Sequence, residues 1–527
     1  MGGDSARVPQ LNDNFCEINS GKGRSGDLVQ FVLRPPGRDK RMGPLKRFRK
    51  LLKPKMARHP VTRCLYEGPS SMLRTGKLLL ARAIDYFFPM WIVPRVGLAR
   101  RYMAEGKLAD ALAITSDVLA REPERRLSEE TFSLLATMCY MQGRAHDAYR
   151  LWVQAEERRC KLARDLELDR LKLRLFTNTH FFGLGHLGVL DKYAKAEILG
   201  MIPRCTNIIL GAAEEYPNPT YVRYLEKYFS RITNRQAISL LAKFPLEVDF
   251  SVVRTAEGKL RTTIAFCRDV QLRWESEGRG PLIELSAAHR ERGYRVVREL
   301  GVPEGAWFVG LHVREGKDPL RDVRNADITT YSLAVEEIAK RGGWVLRMGD
   351  SSMRPLPTWP NTVDYVHRGK REDWMDVFLW AEGRFFIASA SGPQQIPTTF
   401  GKPVAIANYG PLAHFYCAKD DILLPKHYWH EREERYLTLA ERISPNHGYQ
   451  ESLETLAAMG VRVVDNTSEE LRELVIEMID RLEGRCQEAE YERALQARFN
   501  QLVAAHDLYP ARIAQAYLSR HPDLFGA

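Results

Sequence analysis

The chain has 527 residues, of which 44% are hydrophobic and 28% charged. This balance is typical of a globular protein and excludes a disordered or collagen-like chain. No apolar run approaches the about 20 residues of a membrane-spanning helix, and the polar residues 1–14 lack the apolar centre of a signal peptide. The eight cysteines are scattered, without a Cys-x-x-Cys pair or a histidine cluster at metal spacing. We therefore expect reduced thiols, no metal site and a cytoplasmic protein.

The net charge of +11 is concentrated in a basic arm, residues 38–63, which holds eleven Lys or Arg residues against the single acid Asp39. Leu45, Phe48, Leu51 and Leu52 lie between the cations, a pattern that suits an interfacial helix at an anionic membrane surface. A solvated arm is the alternative. Nothing in the chain matches a nucleic-acid-binding motif, so no specific nucleic acid is expected. Residues 1–37 have no periodicity and are predicted to be disordered.

A short repeat follows the arm. Gly106-Lys-Leu-Ala-Asp-Ala111 and Gly143-Arg-Ala-His-Asp-Ala148 each lie between two helical patterns. The patterns cover residues 98–105, 109–121, 129–142 and 145–159. The small residues and Pro123 resemble the tetratricopeptide repeat (TPR), although its usual Trp is missing. Two units are too few for a free-standing solenoid, so they are expected to pack on the following domain. A dedicated peptide-binding groove is the alternative.

From residue 170 the pattern changes to alternating strands and helices. A strand is predicted over residues 171–176, followed by a Gly-rich loop and a helix over 189–199. Glycines in such a loop allow a ligand to approach the start of the helix closely. Gly185, His180 and His186 lie in this loop, which is either functional or a simple structural turn. Further elements are predicted over 207–210 (strand), 221–229 (helix) and 285–300 (helix).

The second half gives the clearer pattern. Strands are predicted over residues 307–313, 344–348, 385–388 and 404–407. Helices are predicted between them over 331–340, 372–382 and 394–400, with two more over 469–482 and 490–506. Strands that alternate with helices of about ten residues predict a parallel, doubly wound α/β sheet.

Polar or small residues follow each of these strands. Open parallel sheets bind ligands at the carboxyl ends of their strands, and serine hydroxyls with the N–H groups of a helix start can hold phosphate oxygens. The pattern thus predicts an anionic ligand that carries sugar hydroxyls. The residues concerned are His312 and Arg314, then Arg347, Gly349 and Asp350, then Ser389, Ser391 and Gly392, and the loop 408–410.

The segment from about residue 172 to 477 resembles a family of bacterial glycosyltransferases with two Rossmann-like domains. The resemblance lies in Gly-His-Leu at 185–187, His-Val-Arg-Glu at 312–315, Arg-Asn-Ala-Asp-Ile at 324–328 and Gly-Gly-Trp-Val-Leu-Arg-Met-Gly-Asp at 342–350. His-Val-Arg is also similar to a phosphate-binding motif of inverting fucosyltransferases, but Glu315 replaces its second Arg. The implied fold is a pair of Rossmann-type domains of the GT-B type behind an α-helical, TPR-like module. The expected domains are 1–63 (arm), 64–165 (helical module), 166–300 (acceptor side), 301–495 (nucleotide-sugar side) and 496–527 (helical tail).

The resemblance also implies roles. Arg314 would bind the diphosphate of a nucleotide sugar, with His312 beside it and Ser389, Ser391 and Gly392 around the phosphates. Asp350 or Asp364 would bind the ribose or base. Glu315, Asp318 and Asp327 are alternative bases for the acceptor hydroxyl. No Asp-x-Asp pair is present to chelate a metal, so no metal or cofactor is expected.

Three functions remain open at this stage. The first is a metal-independent glycosyltransferase that moves a sugar to a glycan or lipid-linked acceptor in surface-polysaccharide assembly, at the inner face of the membrane. The second is a nucleotide-sugar epimerase on the same fold. The third is a non-catalytic binding protein, in which the TPR-like repeats and the basic arm bind the partners.

Overall fold

The computed structural model describes residues 144–526 except 320, 370, 415–417 and 445, together with scattered residues between 98 and 140. The predicted basic arm lies outside the described residues, as does most of the predicted TPR-like module, including nearly all of its first repeat. The last helix of that module, predicted over 145–159, is confirmed as α1, Ala145–Asp165. Within the described part of the chain, no helix is long and apolar enough to cross a bilayer.

The first α/β half is built on a three-stranded parallel sheet of order β1-β2-β3. Its elements are β1 Leu173–Phe176, α2 Leu184–Ile198, β2 Thr206–Leu210, α3 Pro219–Tyr224, β3 Ser230–Ile232 and α4 Arg235–Leu241. An antiparallel hairpin and two helices follow: β4 Val252–Arg254, β5 Leu260–Thr262, α5 Thr263–Ser276 and α6 Ala287–Glu299. Each strand and helix predicted in this half has a counterpart, but two helices differ in their bounds. Helix α2 begins at Leu184 instead of residue 189, so Gly185 and His186 lie in its first turn, and α3 ends at Tyr224 instead of residue 229. Helix α3 begins earlier than predicted, because Asn218 caps it and Pro219 occupies its first turn.

The second half begins with a regular alternation of elements. They are β6 Phe308–His312, α7 Ser332–Lys340, β7 Trp344–Arg347, β8 Thr362–Val363, α8 Asp373–Glu382, β9 Phe386–Ala388, α9 Gln395–Thr399, β10 Val404–Tyr409 and β11 Ile422–Pro425. Short 3₁₀ helices precede α7 (Ile328–Tyr331) and α9 (Gly392–Gln394). All four strands predicted here are confirmed, with ends within two residues of the prediction, because their apolar runs are buried along their whole length or nearly so.

The remaining elements complete this half. They are β12 His427–His430, β13 Arg435–Tyr436, α10 Leu439–Ile443, α11 Leu453–Ala458, β14 Val461–Val464, α12 Ser468–Leu482, α13 Glu490–Ala505, β15 Arg512–Ile513 and α14 Gln515–Arg520. Strands β13, β12 and β14 form a small antiparallel sheet. The predicted helical tail therefore also carries a strand. The turn after α13 returns to the first half, where Asp507 accepts hydrogen bonds from Arg261 and Arg268.

The large sheet has seven parallel strands in the order β15-β11-β10-β9-β6-β7-β8. The chain runs outward from β6 through β7 to β8, then crosses back to β9 on the other side of β6 and continues to β10 and β11. The order therefore reverses between β6 and β9. In open parallel sheets, a crevice forms outside the carboxyl ends of the strands at such a reversal, and ligands bind there.

The two halves share one apolar core. Phe176 and Leu190 of the first half belong to the same buried cluster as Val309 and Ile387 of the large sheet. Helix α2 packs against α9, so the Gly-rich loop before α2 comes to the carboxyl edge of the large sheet. This packing places polar residues of both halves beside the reversal between β6 and β9.

Candidate functional site

The loops after β6 and β9 are joined by hydrogen bonds at the point where the strand order reverses. His312 and Ala388 are register partners in the sheet. The hydroxyl of Ser391 lies 3.1 Å from Nδ1 of His312, and the hydroxyl of Ser389 accepts a hydrogen bond of 2.8 Å from the Arg314 N–H. Both serines are buried. The two serines of the loop after β9 therefore fix both the imidazole and the backbone at the end of β6.

His312 is held neutral with one nitrogen available. Burial, together with the positive charge of Arg347, lowers its pKa to about 4. Its Nε2 makes no hydrogen bond to any residue that the structure describes. A neutral imidazole at a strand end can donate to, or accept from, a polar ligand in the crevice, according to its tautomer.

Arg314 directs its guanidinium into the loop that follows β6. Its Nη1 donates to the carbonyl of Arg321 at 2.8 Å and to Oδ1 of Asn325 at 2.5 Å. The Asn325 side chain also bonds both the N–H and the carbonyl of Gly316, at 2.9 and 2.7 Å. These contacts fold residues 314–325 into one compact loop. Arg314 pairs with no carboxylate among the described residues, so its charge is left available to a ligand.

Two more arginines of this loop complete a cationic cluster. Nε of Arg324 donates to the carbonyl of Ala390 at 2.9 Å, which brings its charge to the loop after β9. Arg321 and Arg324 both approach Glu451, at 3.6 and 3.5 Å. Burial and the positive charge of Arg324 lower the pKa of Arg314, as expected where guanidinium groups repel each other. An anion placed among Arg314, Arg321 and Arg324 would relieve that repulsion.

The first turn of α2 and the Gly-rich loop before it close the other side of the crevice. Gly185 and Gly392 are in backbone contact: a Cβ on Gly392 would lie 2.6 Å from the Gly185 nitrogen. The His186 ring stacks on Phe250, with centroids 4.2 Å apart, and its Nδ1 lies 2.6 Å from the Thr179 carbonyl. Burial, and the nearby charges of Arg321 and Arg324, lower the pKa of His186. The structure thus brings Gly185 and His186 to the arginine cluster.

His180 lies elsewhere, although it was predicted in the same loop as Gly185 and His186. Its ring is fully buried and packs edge-on against Phe176 and Phe250. Burial lowers its pKa to about 3, with a smaller contribution from His186. Nδ1 lies 3.1 Å from the Thr179 hydroxyl, and Nε2 has no partner. His180 is a core residue that packs beneath the loop.

The buried Arg347 pairs with the half-buried Asp364 behind the crevice. Nη1 of Arg347 lies 3.2 Å from Asp364 Oδ1, and only 1% of the Arg347 side chain is exposed. Asp364 also accepts hydrogen bonds from the Leu356 N–H and from His367. Both side chains are therefore committed to each other and to neighbouring protein groups. Through its charge, Arg347 contributes to the neutral state of His312.

The three predicted bases have different surroundings. Glu315 accepts hydrogen bonds from the main chain and the guanidinium of Arg354, at 2.9 and 3.0 Å. Asp327 accepts from Arg354 at 3.2 Å and from the Thr329 N–H at 3.0 Å. Asp318 lies instead in the loop of the arginine cluster, 3.8 Å from Nε of Arg321. The structure therefore places Asp318, and not the other two, beside the cationic cluster.

Asp350 lies near His312, at the end of β7. Its carboxylate accepts a 2.8 Å hydrogen bond from the Ser352 N–H, and the hydrogen bonds from Ser352 lower its pKa. Gly349 precedes it with φ of +147°, a conformation that side chains rarely adopt, and Met353 fills the space beside its Cα. Gly349 therefore turns the chain so that Asp350 stays close enough to His312 to act on its pKa.

Arg321, Arg324 and Asn325 were not among the residues predicted for the site. A signal for two of them was present, because Arg324 and Asn325 open the Arg-Asn-Ala-Asp-Ile motif at 324–328. What the sequence does not show is that the loop folds back and carries these side chains to the end of β9. That fold depends on the contacts of Asn325 with Gly316.

Comparisons with known proteins give distant likenesses. No protein-family model matches the chain, and no curated protein matches it. Similar solved structures include the iron-containing dodecameric glycosyltransferase TibC from enterotoxigenic E. coli H10407, at 13% identity and TM-score 0.29; the alignment covers 47% of this chain and 61% of TibC. A family 9 glycosyl transferase from Veillonella parvula is 12% identical, with TM-score 0.30 and coverages of 48% and 86%. E. coli ADP-heptose LPS heptosyltransferase II is 13% identical, with TM-score 0.28 and coverages of 46% and 85%. TM-scores of this size do not establish a shared fold, so function is inferred from the site itself.

Proposed function

We propose that the protein is a glycosyltransferase of the GT-B type, which moves a sugar from a nucleotide-diphosphate sugar to a glycan or lipid-linked acceptor without a metal ion. The observation that carries the proposal is the cluster of Arg314, Arg321 and Arg324 at the reversal between β6 and β9. This is the place where parallel sheets bind ligands, and clustered guanidinium groups match the charge and geometry of a diphosphate.

The residues around the cluster support a division of roles. Arg314 and Arg324 would bind the diphosphate oxygens, and their charge would stabilise the nucleotide as it leaves. His312, neutral and with Nε2 available, would hydrogen-bond a phosphate or a hydroxyl of the sugar. Asp350, ionised at neutral pH, would accept hydrogen bonds from ribose hydroxyls. His186 and Gly185 would border the acceptor from the first half.

Asp318 is our candidate for the base that activates the acceptor hydroxyl. Its side chain is 45% exposed and lies beside Arg321, so an acceptor can reach it from solvent. Glu315 and Asp327 direct their carboxylates to Arg354, and the hydrogen bond from Thr329 lowers the pKa of Asp327 and so weakens it as a base. A base must lie within hydrogen-bond reach of the hydroxyl that it deprotonates.

Arg314→Ala tests the donor site. Loss of a charge-assisted contact costs about 1.5–3 kcal/mol, so binding of nucleoside diphosphates should weaken by about 10- to 100-fold. The measurement is calorimetric titration with UDP, GDP and ADP, followed by transfer assays with the sugar nucleotide that binds. Arg384→Ala is the matched control, because Arg384 precedes β9 at the opposite edge of the sheet and pairs with Glu483.

Two results would contradict the proposed function. One is unchanged nucleotide affinity in a folded Arg314→Ala protein. The other is transfer that stops in EDTA and returns only with added manganese or magnesium, since the arginine cluster is proposed to do the work of a cation. Donor turnover to an epimeric sugar nucleotide, without acceptor, would instead identify an epimerase.

Asp318→Asn tests the base. The amide keeps the size of the side chain but cannot take a proton, so kcat should fall by about 100-fold or more while nucleotide affinity stays unchanged. Asp327→Asn serves as the comparison, because Asp327 is also an exposed carboxylate after β6 but pairs with Arg354. Equal kcat values for the Asp318→Asn and wild-type proteins would rule out this role for Asp318.

A further inference from the structure

A second cluster of ligating side chains lies apart from the crevice, where three distant segments meet. His427 begins β12, Glu470 lies in the first turn of α12, and His521 follows α14. One nitrogen of each histidine and one carboxylate oxygen lie within 4.8 Å of one another. We propose that these three residues form a structural site for a zinc-like divalent cation, with water as a further ligand.

The distances suit one shared cation. Nε2 of His427 lies 3.0 Å from Oε1 of Glu470, and Nε2 of His521 lies 3.8 Å from the same oxygen. Zinc binds nitrogen and oxygen at about 2.0–2.2 Å, so its ligands in a tetrahedral site are about 3.3–3.5 Å apart. The two observed separations lie on either side of that value, and small side-chain shifts would equalise them.

The carboxylate is already oriented for this role. Its second oxygen, Oε2, accepts hydrogen bonds from the N–H and hydroxyl of Thr467, at 2.8 and 3.2 Å. Oε1 is thereby directed at the two histidines. A hydrogen bond that fixes a metal-binding carboxylate in this manner is a usual part of metal sites. Although burial raises its pKa, hydrogen bonds from His427 and His521 hold the pKa of Glu470 below its ordinary value.

The imidazole of His427 is also fixed in place. Its ring stacks on Tyr517, with centroids 5.1 Å apart and planes 12° from parallel. Burial lowers its pKa, and the hydrogen bond to Glu470 opposes that effect. Arg442, the nearby cation, directs its guanidinium to the Lys426 carbonyl and the Tyr517 hydroxyl and lies over the Tyr428 ring.

A cation here would fasten the end of the chain. His521 lies between α14 and a final 3₁₀ helix, Pro522–Phe525, whereas His427 and Glu470 belong to the sheet region. Binding that is confined to the folded state would therefore stabilise the docked C-terminal segment. The three residues are not among those that form the arginine cluster, although Lys426, next to His427, donates a hydrogen bond to the Asn325 carbonyl. A cation here is therefore not expected to take part in sugar transfer.

The test uses the full-length protein after removal of metals with a chelator. Zn²⁺ should bind at one equivalent and raise the melting temperature, and Co²⁺ should give the visible absorption of a tetrahedral site. His521→Gln keeps a hydrogen-bond donor to Glu470 but removes a ligand, so zinc affinity should fall at least tenfold and the thermal shift should disappear. Because His521 is partly exposed, we expect the His521→Gln protein to fold. Its melting temperature without metal, compared with that of the wild-type protein, tests this expectation.

His506→Ala is the matched control, because His506 is an exposed histidine at the end of α13 and should leave zinc binding unchanged. Equal zinc affinity in the wild-type and His521→Gln proteins would overturn the proposal. So would the absence of Zn²⁺ and Co²⁺ uptake by the wild-type protein, which would identify the cluster as a hydrogen-bonded His–Glu group. Neither result bears on the transferase proposal, whose test is nucleotide binding.

Discussion

His180 and His186 were predicted in one loop but have opposite surroundings. His186 faces the arginine cluster, where Arg321 and Arg324 act on its pKa, whereas His180 is enclosed by aromatic rings with its Nε2 unpartnered. A buried neutral histidine of this kind destabilises the fold in acid, because the unfolded chain takes up a proton that the folded chain cannot.

His180→Phe should make the protein less sensitive to acid. The folded pKa of about 3 lies below the unfolded value of 6.5, so the full stability contribution is present above pH 6.5. It is lost as the pH falls from 6.5 towards 3, by up to about 1.4 kcal/mol per pH unit. The melting temperature of the wild-type protein should therefore fall more between pH 7.5 and pH 5 than that of the variant, whose phenyl ring fills the same aromatic site.

His506→Phe provides the comparison, because it replaces an exposed histidine at the end of α13 with the same side chain. If the melting temperatures of the wild-type and His180→Phe proteins fell equally between pH 7.5 and pH 5, His180 would be protonated in the folded protein. Burial raises the pKa values of Asp376 and Asp421 to about 7, so these two carboxyls stabilise the fold as the pH falls, which is opposite to the effect of His180. The wild-type protein must therefore be compared with a variant that keeps both of them.

Sequence could locate strand-end residues but could not assign their partners. His312, Arg314 and Ser391 were predicted at one edge because parallel strands end together, and they do lie there. Arg347 was predicted at this edge in the same way, but its side chain is buried in the protein. Its direction depends on a carboxylate behind the strand. Asp364 supplies that carboxylate from 17 residues further along the chain, and strand patterns hold no information about such a pair.

At the level of elements, the crevice depends on two helices whose first turns are in contact, each through a glycine. The chain enters α2 through Gly185 and enters the 3₁₀ turn before α9 through Gly392, and the two backbones touch. Any side chain at either position would meet main-chain atoms, which cannot move aside as a flexible side chain can. The contact sets how closely the two halves approach each other beside the proposed phosphate site.

Gly392→Ala should separate the two helix starts. Its Cβ would lie 2.6 Å from the Gly185 nitrogen and 3.4 Å from its Cα, so the backbone must shift. We expect nucleotide affinity to fall by about tenfold or more and the melting temperature to fall by several degrees, as overpacking costs about 1–3 kcal/mol. Both quantities can be measured on the same purified protein.

Gly183→Ala is the matched control, at the residue that precedes α2. Gly183 has extended backbone with φ of −147°, and a Cβ there would meet nothing within 4 Å. It should change nucleotide affinity little. If Gly392→Ala bound nucleotide as well as Gly183→Ala did, the glycine contact would not position the site.

Elements were predictable where apolar runs are long enough to show a period. The strands beginning at Phe308, Trp344, Phe386 and Val404 end within two residues of the predicted ends. Strands β8 and β15 were not predicted, since two residues cannot display an alternation. Strand β11 was missed because its four apolar residues follow a charged turn and resemble many short loops.

At the level of the whole molecule, the helical segment before the first sheet contacts both halves. The described residues of this segment pack with Val252 of the first half, and Tyr149 donates a 2.9 Å hydrogen bond to the Leu260 carbonyl. Tyr140 lies edge-on to Tyr449 of the second half, with ring centroids 5.2 Å apart. The described residues of this segment therefore pack on the α/β region, whereas the TPR-like repeat itself stays a prediction.

The basic arm, residues 38–63, lies outside the described residues, and its role stays a prediction from sequence. Deletion of residues 1–63 should leave transfer to a soluble acceptor nearly unchanged, because the predicted donor and acceptor residues all lie beyond residue 179. Binding to anionic vesicles should weaken, since the deletion removes eleven cations interleaved with Leu and Phe. Each cation near such a surface contributes about 1 kcal/mol.

The dependence of vesicle binding on salt concentration distinguishes a membrane-binding arm from one that is only solvated. Electrostatic attraction is screened over about 8 Å at physiological ionic strength, so vesicle binding by the full-length protein should fall steeply as salt is added, while turnover of a soluble acceptor changes little. Neutral vesicles provide the control, because they lack the negative charge that the arm is proposed to recognise. If the full-length and truncated proteins sediment equally with anionic vesicles, the arm does not bind the membrane, and any attachment must come from another part of the chain.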